Sequence, residues 1–279
     1  MKGAFMLYLV STPIGNLGDI SDRAKEVLRT VDLVACEDTR TSGQLFSLLG
    51  LQVAATLPYH EHNADKMRPK LIEKLKKGVN IALISDAGTP LISDPGYKLV
   101  RDCYEYGITV TTIPGANAVL SALQLSGLPS NAFYFAGFLP PKTGARKKAL
   151  SELEDIRATL IIYETANRLT DMLTDIQETL GNRFVAVVRE ITKKFEEVKR
   201  DTVSNLITYY NQNGLPKGEL VLVIGAATQA ENPTETEIEA LIQKTLKTHT
   251  PRDTAEIVSK LSGIPKKQIY KQVVAFHDK

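Results

Sequence analysis

The stretch VNIALISDAGTPLISDPG, residues Val79 to Gly96, decides how this chain is read. Its opening, VNIALI, is an apolar run of strand length, as expected for a strand covered on both faces. The rest, SDAGTPLISDPG, is dense in Gly, Pro, Ser and Asp, the residues that build turns. A helix pattern resumes only at Pro95 to Tyr106. A long stiffened loop between a buried strand and a helix is more than a connection requires.

Working outward, the same alternation recurs. Phe5 to Ser11 reads as a strand, followed by the amphipathic helix DISDRAKEVLRTV with Asp19 or Ser21 as its N-cap. Asp32 to Glu37 is a second strand, and TSGQLFSLLG a helix closed by Gly50. AATLPYH, a helix over Lys66 to Lys77, and Ile108 to Ile113 complete a first series. Strands alternating with helices predict an α/β fold with a mostly parallel sheet. After Pro114 the pattern restarts: a helix over Ala116 to Leu125, the strand FYFAGF, the basic helix start KTGARKKALSEL, the strand Ala158 to Glu164, a helix over Arg168 to Leu180, and RFVAVVREI. FEEVKRDT alternates in character and predicts an antiparallel strand, so the second sheet should be mixed. ELVLVIGA, Glu219 to Ala226, is the last buried strand. A polar linker, ATQAENPTETE, precedes three short helical patterns. The expected division is 1–114 and 115–228 for two α/β domains and 234–279 for a helical module.

The 279 residues suffice for two cores, with ordinary apolar (43%) and charged (24%) fractions. No apolar run reaches the roughly eighteen residues of a membrane span, and the short apolar N-terminus reads as a first strand rather than a leader. Two cysteines, Cys36 and Cys103, in apolar contexts argue for a reducing cytosol and against a disulfide framework. A net charge of +2 permits an anionic partner without demanding one.

Ligands of open α/β sheets bind beyond the carboxyl ends of the strands. Three turn-rich stretches fall there: Ser11 to Asp19, Ser85 to Gly96, and Ile113 to Ala118. Together they predict the wall of a binding site, held in shape by proline and opened to close approach by glycine. The ligand is not read by a phosphate loop, because GxxxxGK[ST] is absent. The first turn, PIGNLGD, does not fit the dinucleotide fingerprint either, although Glu37 and Asp38 could imitate a ribose-binding acid. The close pair His60 and His62 lacks supporting metal-ligand spacing, so no metal is expected.

Taken in order, TPIGNLGD, CEDTRTS, HEHN, SDAGTPLISDPG, PGANAVLSALQLSGLP, FxGFLP, YETANR and REITKKFEE resemble the S-adenosylmethionine-dependent tetrapyrrole methylase superfamily. Within it, they are most similar to the branch that methylates a cytidine ribose 2′-hydroxyl in 16S ribosomal RNA. The resemblance runs from Tyr8 to about Ala227, and the helical tail fits it. It implies two α/β domains with S-adenosylmethionine in the cleft between them, a homodimer, and a 30S ribosomal substrate. Carried over by motif, the cofactor wall comprises Pro13, Gly15, Ser85, Asp86, Ala87, Gly88, Leu91, Ile92, Asn117, Ala118, Tyr163, Glu164, Ala226 and Ala227. Asp38, Arg40, Glu190 and Lys193 are active-site candidates, with His60 and Glu61 as further possible bases. A lysine could act as base only if burial lowers its pKa. Two other functions stay open: C-methylation of a tetrapyrrole, and a non-catalytic rRNA-binding assembly role.

Basic residues mark two further places. Lys142, Arg146, Lys147 and Lys148 open a helix of the second domain. Arg252, Lys260, Lys266, Lys267 and Lys271 mark the tail, where Tyr270 stands among the lysines. They are the expected RNA contacts, by shape recognition of a folded target.

Overall fold

The computed structural model describes residues 6–227, 235–262 and 264–277, which form two compact units, 1–226 and 227–279. The first unit carries two five-stranded sheets.

The first sheet is built from β1 (Met6–Val10), β2 (Leu33–Cys36), β3 (Thr56–Pro58), β4 (Ile81–Ile84) and β5 (Thr109–Ile113), in the order β3-β2-β4-β1-β5, with every pairing parallel. Every residue of β2 and β4 is buried, as strands covered on both faces must be. Leu7, Ala35 and Leu83 share one core with Leu71, Leu75, Leu99 and Cys103 from α3 (Ala64–Lys76) and α4 (Tyr97–Glu105). Val10, Val34, Cys36 and Ile84 face the other way, onto Ala24 and Leu28 of α1 (Asp22–Thr30) and Phe46 of α2 (Thr39–Leu48). Ser21 caps α1 by accepting from the Ala24 amide at 3.1 Å.

The chain crosses at Pro114 into α5 (Ala118–Ser126), whose cap Asn117 accepts from the Leu120 amide at 3.0 Å. The small residues of α5 lie on the second sheet, which comprises β6 (Phe133–Phe138), β7 (Thr159–Thr165), β8 (Phe184–Arg189), β9 (Glu197–Thr202) and β10 (Glu219–Ile224). Its order is β6-β7-β10-β8-β9; only β6 and β7 are parallel. Alternation sorts the side chains. Val221 and Val223 meet α5, while Leu220, Leu222 and Ile224 meet α6 (Thr143–Ser151), α7 (Leu169–Leu180) and α8 (Val203–Asn213).

The sequence reading passes over α8, because VSNLITYYNQN is β-branched, aromatic and polar, a poor helix composition. Burial of Val203, Leu206 and Tyr210 on one face outweighs propensity. The tail folds α9 (Glu235–Leu246), α10 (Pro251–Ser262) and α11 (Lys266–His277) around Ile238, Ile242, Ala255, Val258, Ile269 and Val273. Glu235 already belongs to α9, so the expected linker is shorter than ATQAENPTETE; its stretch 228–234 lies outside the described residues.

Candidate functional site

Because every strand of the first sheet is parallel, the loops after β1, β2, β4 and β5 all emerge at one edge. Hydrogen bonds tie three of them into one body. The Thr12 amide donates to the Gly88 carbonyl at 2.9 Å and the Gly88 amide returns to the Thr12 carbonyl at 3.1 Å. The Ser11 hydroxyl meets Thr89 Oγ1 at 3.3 Å, and Thr89 donates to the Ala116 carbonyl at 3.1 Å.

Against this body lies a cleft of about 450 Å³. One wall is Ile14, Glu37, Asp86, Ala87, Ile92, Ser93, Asp94 and Ala118; the other is Phe138, Tyr163, Glu164, Thr165, Ile191 and Gly218 to Val221. Of the expected cofactor residues, Asp86, Ala87, Ile92, Ala118, Tyr163 and Glu164 line it. Pro13, Gly15, Ser85, Gly88, Leu91 and Asn117 stand behind, shaping the loops. Gly88 spends its amide on Thr12 and so clamps the two loops together. At φ +83° any side chain would be strained, and a Cβ would sit tightly, 3.2 Å from Ile14 Cγ2. Gly15 instead packs on the Ile191–Lys193 turn, where a Cβ would lie 2.9 Å from Thr192 Oγ1.

Ala226 and Ala227, expected on the cofactor wall, do not line this cleft. β10 runs antiparallel to β7, pairing Glu219 with Thr165 and Val221 with Tyr163, so its beginning lines the cleft. Ala226, followed in the chain by Ala227, comes after the opposite end of that strand. The rule of carboxyl strand ends holds only while strands are parallel. That same reversal brings in Gly218 to Val221, which the sequence reading misses along with Ile14, Ser93, Asp94, Phe138, Thr165 and Ile191. A strand pattern at FEEVKRDT was the available signal that the second sheet reverses direction.

The cleft gathers carboxylates among apolar walls. Burial, then the neighbouring Asp86, raises the Glu37 pKa above the ordinary value. Burial, then Glu37, pushes the Asp94 carboxyl up to about 6. Asp86 Oδ1 accepts the Asp38 amide at 3.1 Å. Across the cleft, Tyr163 contacts Phe138 at 5.3 Å between ring centroids and is pushed to about 12 by burial, then by Asp94 and Glu219. Glu164 is buried; its Oε1 accepts the Thr165 amide at 2.7 Å and pairs with Arg168 at 3.3 Å. Its Oε2 is buried with no hydrogen-bond partner among the described residues. Among those residues no group of three His, Cys, Asp or Glu is arranged to hold a metal ion.

The expected catalytic residues divide into two pairs. Asp38 caps α2 and grips Arg40 at 2.8 Å; those bonds hold its carboxyl at about 2, a weak proton acceptor. Lys193 Nζ bridges Glu190 at 3.1 Å and Glu219 at 2.8 Å. Burial works to lower the Lys193 pKa, but its bonds to Glu219 and Glu190 carry it upward, so Lys193 stays charged and the condition for a lysine base fails. The Glu219 amide and Lys193 lower Glu190. Beside this cluster a second cavity of about 320 Å³ is lined by Arg189, Glu190, Phe195 and Leu215 to Gly218. His60 Nε2 lies 3.2 Å from Asn63 Nδ2, fixed locally rather than aimed at a metal.

Among the expected RNA contacts, Arg146 requires correction. It is 1% exposed, with Nε bonded to Asp175 at 2.5 Å and Nη1 to the Pro141 carbonyl at 3.2 Å. Its charge is spent inside the domain. Lys147 pairs with Glu178, while Lys142 is exposed at the start of α6. In the tail Arg252, Lys266, Lys267, Tyr270 and Lys271 are exposed, Lys266 pairing with Glu256 at 2.6 Å.

The tetrapyrrole (corrin/porphyrin) methylase family model matches residues 6–207, which take in the first sheet, every strand of the second but β10, and most of the cleft lining. The chain belongs to the tetrapyrrole methylase family. Members of this family at high identity include ribosomal RNA small subunit methyltransferase I of Mesorhizobium japonicum, 46% identical over 98% of this chain and 92% of that one. The Haemophilus influenzae protein of the same name is 43% identical over 98% of each chain. Solved structures share the fold: diphthine synthase at TM-score 0.60 and 15% identity, covering 80% of this chain and 90% of that one. Uroporphyrin-III C-methyltransferase of Thermus thermophilus matches at TM-score 0.54 and 20% identity, covering 78% of this chain and 93% of that one.

Proposed function

We propose that this chain transfers a methyl group from S-adenosylmethionine to the ribose 2′-hydroxyl of a cytidine in 16S ribosomal RNA within the 30S subunit. The observation that carries the reading is an acidic, apolar-walled cleft in a chain whose relatives, alike over nearly their full length, are small-subunit rRNA methyltransferases.

The donor set suits this cofactor. A sulfonium and an ammonium are cationic, and the cleft offers Glu37, Asp86, Glu164 and Glu219 to them. Glu164 Oε2, buried without a partner, is a desolvated acceptor awaiting a donor. Ile14, Ile92, Ala118 and Leu220 would take the adenine, Glu164 and Asp86 the polar end. When bound, the cofactor supplies a methyl already activated by its sulfonium, so the protein contributes alignment more than activation. The clamped loops hold one wall rigid, and Phe138 and Tyr163 give the other an aromatic face. The basic tail adds affinity for the folded substrate, and the active form is a homodimer.

The test is incubation of purified protein with 30S subunits, free 16S rRNA and methyl-labelled cofactor. Label is expected in 16S rRNA from 30S particles. Label in an added corrin precursor and none in rRNA would replace this reading with tetrapyrrole C-methylation.

A further inference from the structure

A 2′-hydroxyl that attacks a methyl must lose its proton, and the expected candidates are poor acceptors. Asp38 is committed to Arg40, Glu190 to Lys193 and the Glu219 amide, and Lys193 is held as a cation. A different carboxylate occupies the cleft. Asp94 lies on its wall, next to Ser93 at φ +65° and three residues after Leu91 at φ +73°. Two side-chain-bearing residues in the left-handed region within one loop are uncommon, and such conformations collect where function over-determines the backbone. Asp94 shares that cleft with Glu37, Asp86 and Tyr163, and its charge is felt by Tyr163 as those of Glu37 and Asp86 are felt by Asp94.

We propose that Asp94 is the general base, accepting the proton of the ribose hydroxyl as the oxygen attacks the methyl carbon. The O–C bond forms, the C–S bond breaks with its electron pair returning to sulfur, and the hydroxyl proton passes to the Asp94 carboxylate. The inference rests on the methyltransferase reading above and adds the acceptor atom for the proton. The surroundings of Asp94 suit a proton acceptor. Burial and the charges of Glu37 and Asp86 raise its proton affinity, while a Ser85 hydrogen bond offsets part of that rise. The result, about 6, leaves it ionised at neutral pH yet a far better acceptor than Asp38 at about 2. Tyr163, held protonated, does not compete for that proton.

The experiment pairs Asp94→Asn and Asp94→Glu with wild type, in single-turnover methylation of 30S subunits from pH 5 to 8 and in titration calorimetry with S-adenosylhomocysteine. Asp94→Asn is expected to slow transfer on the order of 10²- to 10⁴-fold, the usual range for a positioned base, with S-adenosylhomocysteine affinity unchanged. Wild-type rate is expected to rise with pH through about 6 and level off, and Asp94→Glu to restore part of the rate. A wild-type rate in Asp94→Asn, or a loss of S-adenosylhomocysteine affinity matching the loss of rate, overturns the assignment; the second outcome makes Asp94 a cofactor ligand. A carboxyl ¹³C titration of the wild-type protein needs no substrate. A resonance titrating near 6 that disappears in Asp94→Asn supports the proposal, and its absence overturns it. If wild type methylates nothing in 30S subunits, the methyltransferase reading fails instead, and the carboxyl titration judges Asp94 separately.

Discussion

Thr12 and Gly88 hydrogen-bond through their backbones in both directions, at 2.9 and 3.1 Å, although 76 residues separate them. This bridge joins the loop after β1 to the loop after β4 and makes one wall of the cleft a single rigid body. Gly88→Val puts a β-branched side chain at φ +83°, against Ile14 and the Ala116 carbonyl. Strain of about 1–3 kcal/mol is expected there. The variant should show a lowered melting temperature and weakened S-adenosylhomocysteine binding by calorimetry. Unchanged binding would mean the bridge does not shape the site.

Glu164→Gln keeps the Oε1 acceptor for the Thr165 amide and removes the carboxylate charge, and with it the ion pair to Arg168. S-adenosylhomocysteine affinity should fall roughly tenfold, about 1.4 kcal/mol, with folding retained by circular dichroism. An affinity equal to wild type would take Glu164 out of the cofactor site.

Arg146→Met removes one half of a buried ion pair and leaves Asp175 only its longer contact with Lys147, at 3.7 Å. A loss of up to about 3–5 kcal/mol is expected for a poorly compensated buried charge, read by urea denaturation. Arg146→Met combined with Asp175→Leu should recover most of it. RNA affinity per folded molecule should not change, which separates this arginine from a phosphate contact.

Asp94 also predicts a pH-dependent stability. Its folded value, about 6, lies above the ordinary 3.8. The folded state therefore binds the proton more tightly, and this group's contribution to stability falls as pH rises from about 4 through 6. Asp94→Asn should melt above wild type at pH 7 and lose that advantage near pH 4, as seen by differential scanning calorimetry. A lower melting temperature at pH 7 would contradict the placement of Asp94 among Glu37 and Asp86.

Much of this was legible in the chain. The buried run before Ser85 and its glycine- and proline-rich loop located the parallel sheet and one wall of the cleft, because periodicity and turn chemistry are local. The opposite wall was harder. Glu219 was missed because strand direction in the second sheet depends on pairing between distant segments. Arg146 read as surface charge because nothing nearby in sequence shows Asp175. Asp94 was quoted within the loop without a role, since its value depends on burial beside Glu37, a neighbour only in three dimensions.

The tail is expected to serve RNA rather than the cofactor. A chain ending at Ala227 should bind S-adenosylhomocysteine normally and lose most methylation of 30S subunits. Lys267→Ala should lower the slope of log affinity against log salt by roughly one phosphate contact, so its defect narrows as salt rises. Full activity without α9 to α11 would make the tail dispensable.

The most direct test of the central claim is the position of the methyl group. Purified protein, 30S subunits and methyl-labelled cofactor are reacted, and the 16S rRNA is digested with alkali. Methylation of a ribose 2′-oxygen removes the hydroxyl that alkali uses to cleave the chain, so label is predicted in an alkali-resistant dinucleotide whose 5′ residue is a cytidine. Label released on a free base by acid hydrolysis, or none in 16S rRNA at all, would contradict the account.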